Sequence, residues 1–172
     1  MSLLARLFGT RPDPREALRP LWHRVVGIAR EPGWYAKGGV ADTVAGRFDA
    51  ITLVLALVML RMDGHDDLKA PSARLTELFV DDMDGQLRQS GVGDLVVGKR
   101  IGKLVSVLGG RMEALREGLA QTDDASLIAT VQRNVTLIDG GDPAGIAAEL
   151  RVLARELAAL DDARLLAGEI AR

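Results

Sequence analysis

Between Asp49 and Arg61 the chain runs through eleven residues, Ala50 to Leu60, with no charge and a single hydroxyl, that of Thr52. A helix that is apolar on every side has to be buried, whereas a helix that crosses a bilayer needs about 20 such residues. The run is too short to span and reads as a buried core helix. Composition points the same way. The chain is 48% hydrophobic but only 3% aromatic, and its apolar mass comes from Leu, Val, Ile, Ala and Met. That mixture favours helices over a β-sandwich. With 172 residues, one domain with a real core is the natural size. The expectation is an all-α fold, a single compact helical domain of about six to seven helices over residues 14–172, behind a flexible tail at 1–13.

Periodicity and punctuation set out the helices. Pro14 suits a first helical turn, and Leu18, Leu21, Trp22, Val25 and Ala29 share a face, so a helix is predicted over 14–30, stopped by Pro32-Gly33. An irregular loop, Gly33 to Val40, holds Trp34 and Tyr35 as either a core plug or an exposed anchor. Asp42 or Thr43 caps the helix that contains the apolar run. Ser72 caps the next one, which Gly91 ends. A helix over 95–118 places Val97, Ile101, Leu104, Val105, Leu108, Met112 and Leu115 inward, with Lys99, Arg100, Lys103 and Arg111 on the other face. Gly98 and Gly102, four apart, allow another helix to approach closely. Asp123 or Asp124 caps a helix to Ile138, and Pro143 opens a last long helix with a stripe of Ile146, Leu150, Leu153, Leu157 and Leu160. No strand and no internal repeat is evident.

Catalytic patterns are weak. Gly93 through Gly98-Lys99 approaches a nucleotide-binding P-loop, but Arg100 stands where a hydroxyl must reach Mg²⁺, and the residues before Gly91 are too polar for a central parallel strand. Asp94 would set a carboxylate inside a phosphate cradle. The cluster Asp81-Asp82-Met83-Asp84 suggests a helical Mg-dependent enzyme acting on an isoprenyl diphosphate through Asp81 and Asp84, yet no second acidic motif accompanies it. His23 and His65 form no ligand pattern. No nucleophile elbow and no cysteine occur, which removes disulfides, thiolate catalysis and Cys-based metal sites. The reading is no enzyme, no catalytic or metal residues, and no cofactor or small-molecule substrate.

The formal net charge is −2, which gives no bulk attraction for DNA. Charge is uneven: residues 1–31 carry six Arg against three acids, net +3, and 121–172 carry nine acids against five Arg, net −4. No secretory h-region forms around Leu3 and Leu4 before Arg6. A bacterial, cytoplasmic protein is expected, with the inner membrane as a peripheral contact surface.

Three segments, read together, resemble the ubiquinol–cytochrome c chaperone family, assembly factors of respiratory complex III. They are Gly33-Trp34-Tyr35 through Gly39-Val40-Ala41-Asp42-Thr43-Val44-Ala45-Gly46-Arg47-Phe48-Asp49, then Leu78-Phe79-Val80-Asp81-Asp82-Met83-Asp84, then Gly91 to Lys99. The resemblance spans about Leu21 to Arg111; the last 50 residues share only helical character. It implies an all-α, non-catalytic chaperone that binds newly made cytochrome b, with a ribosome or membrane surface as a further contact. On that basis Trp34, Tyr35, Asp42, Arg47, Asp81, Asp84, Asp94, Lys99 and Arg100 are expected to cluster as a partner-binding surface.

Overall fold

The computed structural model describes residues 13–89 and 94–172, with the side chains of 87–101 outside that description. The expected N-terminal tail therefore lies, except for Asp13, outside the described residues, as does the stop at Gly91. Within them every regular element is a helix. Its α-helices are α1 (Arg19–Ala29), α2 (Val44–Met62), α3 (Lys69–Gln89), α4 (Asp94–Ala120), α5 (Ala125–Asn134), α6 (Pro143–Ala158) and α7 (Asp162–Leu166). Short 3₁₀ turns precede α1 and α3, and a π turn over Gly33–Lys37 follows α1.

The uncharged run is the axis of the fold. Every residue from Ala50 to Val58 is buried, and α2 is covered by α1, α3, α4 and α6. Burying a Leu, Val or Ile side chain contributes about 1.5–3 kcal/mol, so this helix supplies a large share of the core. Among the described residues no helix is long and apolar enough to cross a membrane. The α6 stripe also faces inward, with Ile146, Leu150, Leu153 and Leu157 buried. Trp22 of α1 meets Phe79 of α3 edge-on, their centroids 6.1 Å apart.

Several boundaries differ from the sequence expectation. The first helix begins at Arg19, not Pro14, because Pro20 has no N–H for a bond back to Glu16; a 3₁₀ turn at Glu16–Leu18 takes that stretch instead. Ser72 is inside α3, not its cap, since Pro71 fits the first turn of a helix opening at Lys69. The fifth helix stops at Asn134 rather than Ile138. There the β-branched pair Val135-Thr136 extends, and Val40 and Leu137 form an isolated antiparallel bridge. Close helix approach occurs at Gly118, where an added Cβ would lie 3.1 Å from Leu127, whereas Gly102 faces open space.

Caps follow the residues that the chain supplies. Thr43 Oγ1 accepts from Gly46 N at 3.2 Å, Asp142 Oδ1 from Gly145 N at 2.9 Å, and Asp161 Oδ1 from Arg164 N at 2.8 Å. Thr43→Ala is expected to cost about 1 kcal/mol in urea unfolding, the ordinary loss for an N-cap hydroxyl.

Candidate functional site

The first motif segment is a structural joint. At the end of α1, Trp34 Nε1 donates to Ile28 O at 2.8 Å and Tyr35 Oη to Ala29 O at 2.9 Å, so two aromatic side chains satisfy the last carbonyls of the helix. Trp34 is only 3% exposed: it supports the surface from beneath rather than offering its ring to a partner, while Tyr35 is half-buried. The chain then passes through Gly38 and Gly39 and is sewn to a distant loop. Ala41 N donates to Thr136 O at 2.8 Å, Ile138 N to Gly39 O at 2.9 Å and Asp142 N to Gly38 O at 2.9 Å. Gly39 has φ +74°, and a Cβ there would lie 2.5 Å from Gly141 Cα.

Behind this joint lies a buried ion pair that the sequence reading misplaced. Arg111 was expected on the exposed face of its helix, yet it is 6% exposed and its Nη2 binds Asp49 Oδ1 at 2.5 Å, with Asp49 7% exposed. The helical wheel explains the correction. Leu108, Arg111, Leu115 and Gly118 fall on one stripe at spacings of three and four, and that stripe, rather than the one through Val105, faces α2. Val105 is 40% exposed. The other oxygen of Asp49 accepts from Thr136 N at 2.8 Å and Thr136 Oγ1 at 2.7 Å. Arg111 also donates to Thr52 Oγ1 and to Asn134 O, and its guanidinium lies 5.6 Å from the Phe48 ring centroid. One arginine thus fastens α2, α4 and the end of α5 beneath Phe48.

On the outer side of the joint a groove of about 720 Å³ opens between the end of α1, the start of α2, the end of α3 and α4. Val44, Phe48, Ile51, Met83 and Leu104 make its apolar lining, and Arg30, Tyr35, Arg47 and Gln86 its polar rim. Val44 is 88% exposed. Arg30, Tyr35, Asp42 and Arg47 line an adjoining cleft of about 430 Å³, where Arg47 Nε meets Asp42 Oδ1 at 2.6 Å. The Arg47 hydrogen bond holds the Asp42 carboxyl below the usual carboxylate range, and burial pushes the Tyr35 phenol up. A third cleft, about 550 Å³, contains Trp22, His23, Arg30, Asp81 and Asp82.

The expected partner surface is therefore gathered in part. Tyr35, Asp42 and Arg47 meet at one place, and Asp81 lies across Arg30 in the next cleft. Asp81 binds Arg15 at 2.5 Å, and Asp84 is half-buried on α3. The side chains of Asp94, Lys99 and Arg100 lie outside the described residues. Among the described residues no group of three or more His, Cys, Asp or Glu side chains is arranged to hold a metal ion. The groove residues Val44, Phe48 and Leu104 were not on the expected surface. Val44 carried a signal: it is a large apolar residue in the first turn of a helix, immediately after the cap, where the core has not yet closed over it.

Residues 36–172 match the family described as ubiquinol-cytochrome C chaperone. The match runs through the C-terminal helices, so likeness to the family extends well past Arg111. No curated protein matches the chain. Among solved structures the chain is similar to the crystal structure of the Cbp3 homolog from Brucella abortus, with a TM-score of 0.79 and 28% identity, covering 98% of this chain and 96% of that one. With the greater part of its length matched and its fold shared, this chain belongs to the ubiquinol-cytochrome C chaperone family.

Proposed function

We propose that this chaperone binds newly made cytochrome b and holds it, without catalysis, until it is assembled into ubiquinol–cytochrome c reductase. The observation that carries this reading is the apolar groove with a basic rim, built largely by the first motif segment. An unassembled membrane protein exposes apolar helix faces, and a groove with a wide apolar lining and charged edges suits such a face. The protein works beside the inner membrane, where such a client would be found.

The enzyme reading has less support. It needs Asp81 to present its carboxylate to a metal and a diphosphate, whereas Asp81 is tied to Arg15, and Arg15 in turn to Asp13 at 2.7 Å.

Crosslinking of the tagged chain in cells tests the proposal. Cytochrome b is expected among the captured partners, and deletion is expected to deplete complex III. Val44→Asp is expected to reduce the captured cytochrome b several-fold without unfolding the protein, because Val44 is 88% exposed. Capture that does not include cytochrome b, with complex III intact after deletion, would sink the proposal.

A further inference from the structure

Arg30 is the residue that follows α1, and it lines all three clefts. A cation at a helix C-terminus commonly serves the last carbonyls. Here those positions are taken: Ile28 O accepts from Trp34 Nε1 and from Glu31 N, and Ala29 O accepts from Tyr35 Oη. The other arginines of the clefts are committed too, Arg19 to Glu16 at 2.8 Å and Arg47 to Asp42 at 2.6 Å. Among the described arginines lining these clefts, Arg30 alone has neither a carboxylate nor a carbonyl partner. Two aromatic side chains perform the capping that would ordinarily occupy it, and so leave an unpaired guanidinium beside an apolar wall.

We infer that the groove takes an amphipathic helical segment of its client that carries a carboxylate on or beside its apolar face, and that Arg30 binds that carboxylate. This rests on the groove being the client site. A guanidinium offers two parallel N–H donors to a carboxylate, and the apolar lining of Val44, Phe48 and Met83 strengthens the bond by excluding water. The apolar wall supplies area, whereas Arg30 supplies selection. A segment with no acid leaves the arginine unpaired as its surroundings are desolvated, and a basic segment meets like charge.

Fluorescence anisotropy on the full chain tests this with two labelled helical peptides of about 18 residues, identical except for Glu or Gln on the apolar face. The Glu peptide is expected to bind about fivefold more tightly, the range for a partly exposed charge pair, and the difference is expected to shrink in high salt. Arg30→Gln removes the difference, weakening the Glu peptide and binding the Gln peptide at least as tightly as before, while Arg30→Lys keeps part of it. Val44→Asp weakens both peptides. Equal binding of the two peptides, binding of neither, or a preference that survives Arg30→Gln overturns the inference. So does dodecanoate displacing the Glu peptide more effectively than unlabelled Glu peptide does, which would assign the groove to an acyl chain. Peptide discrimination without cytochrome b capture in cells would refute only the client's identity. Capture without discrimination would refute only the role of Arg30.

Discussion

Asp49→Ala is expected to lower stability by about 3–5 kcal/mol, the range for removing one member of a buried ion pair, and to lower the melting temperature by roughly 10 °C for a chain of this size. The loss has two physical sources. Arg111, 6% exposed, keeps its charge with no carboxylate beside it. Thr136 loses the acceptor for both its backbone N–H and its hydroxyl, which are bound to one oxygen of Asp49 at 2.8 and 2.7 Å. The double variant Asp49→Ala with Arg111→Met is expected to recover much of the loss, because a buried thioether needs no counter-charge. The Nε of Arg111 is buried without a hydrogen-bond partner, so the wild-type network is not itself fully satisfied. Thermal and urea unfolding followed by circular dichroism compare both variants with the wild type. A loss below about 1 kcal/mol for Asp49→Ala would show that water or local movement replaces the missing carboxylate.

Gly39→Ala is expected to cost about 3 kcal/mol or more. The left-handed backbone, φ +74°, accounts for about 1–2 kcal/mol of it. The remainder is steric, since the new methyl would lie 2.5 Å from Gly141 Cα, and backbone cannot swing away as a flexible side chain can. Gly64→Ala separates the two terms. Gly64 has φ +81° and nothing within 4 Å of an added Cβ, so its substitution carries the backbone cost alone. Denaturation midpoints compare them, and hydrogen exchange at Ala41 and Ile138, whose amides bridge the two loops, locates the damage. Equal losses for the two variants would show that the loops separate freely to admit the methyl.

Helices whose burial follows from local pattern were legible in the sequence. The uncharged α2 run and the α6 stripe state their own burial, and Thr43 is one of the two caps the sequence offers for α2. What sequence could not resolve depended on groups far away in the chain. Arg111 looks like a surface residue until Asp49, 62 positions distant, is placed beside it. A charge in the middle of an apolar stripe is read more readily as a stripe drawn along the wrong line. Extension of α5 to Ile138 was a reasonable reading of local propensity, and the bonds of Thr136 to Asp49 and Ala41 override it. Of the expected surface, Tyr35, Asp42 and Arg47 meet in one cleft because they sit in one contiguous motif. Val44, Phe48 and Leu104 were passed over because large apolar residues at helical spacing are assigned to the core by default, and only the assembled surface shows which of them the core leaves uncovered.

The joint between the two loops also sets an order of events. Asp49 and Thr136 are 87 positions apart, and the loop bonds at Gly38, Gly39 and Ala41 likewise reach to Thr136, Ile138 and Asp142. Contacts of such long separation form only after the intervening chain has collapsed, and domains fold as synthesis supplies them from the N-terminus. Residues of the groove rim therefore leave the ribosome early, but the segment that braces Asp49 and the loop of Gly38 to Ala41, Thr136 to Asp142, comes from the last third of the chain. A partly synthesised copy has the groove's residues without the chain that braces the joint behind them, so that joint closes only after Thr136 to Asp142 have been made.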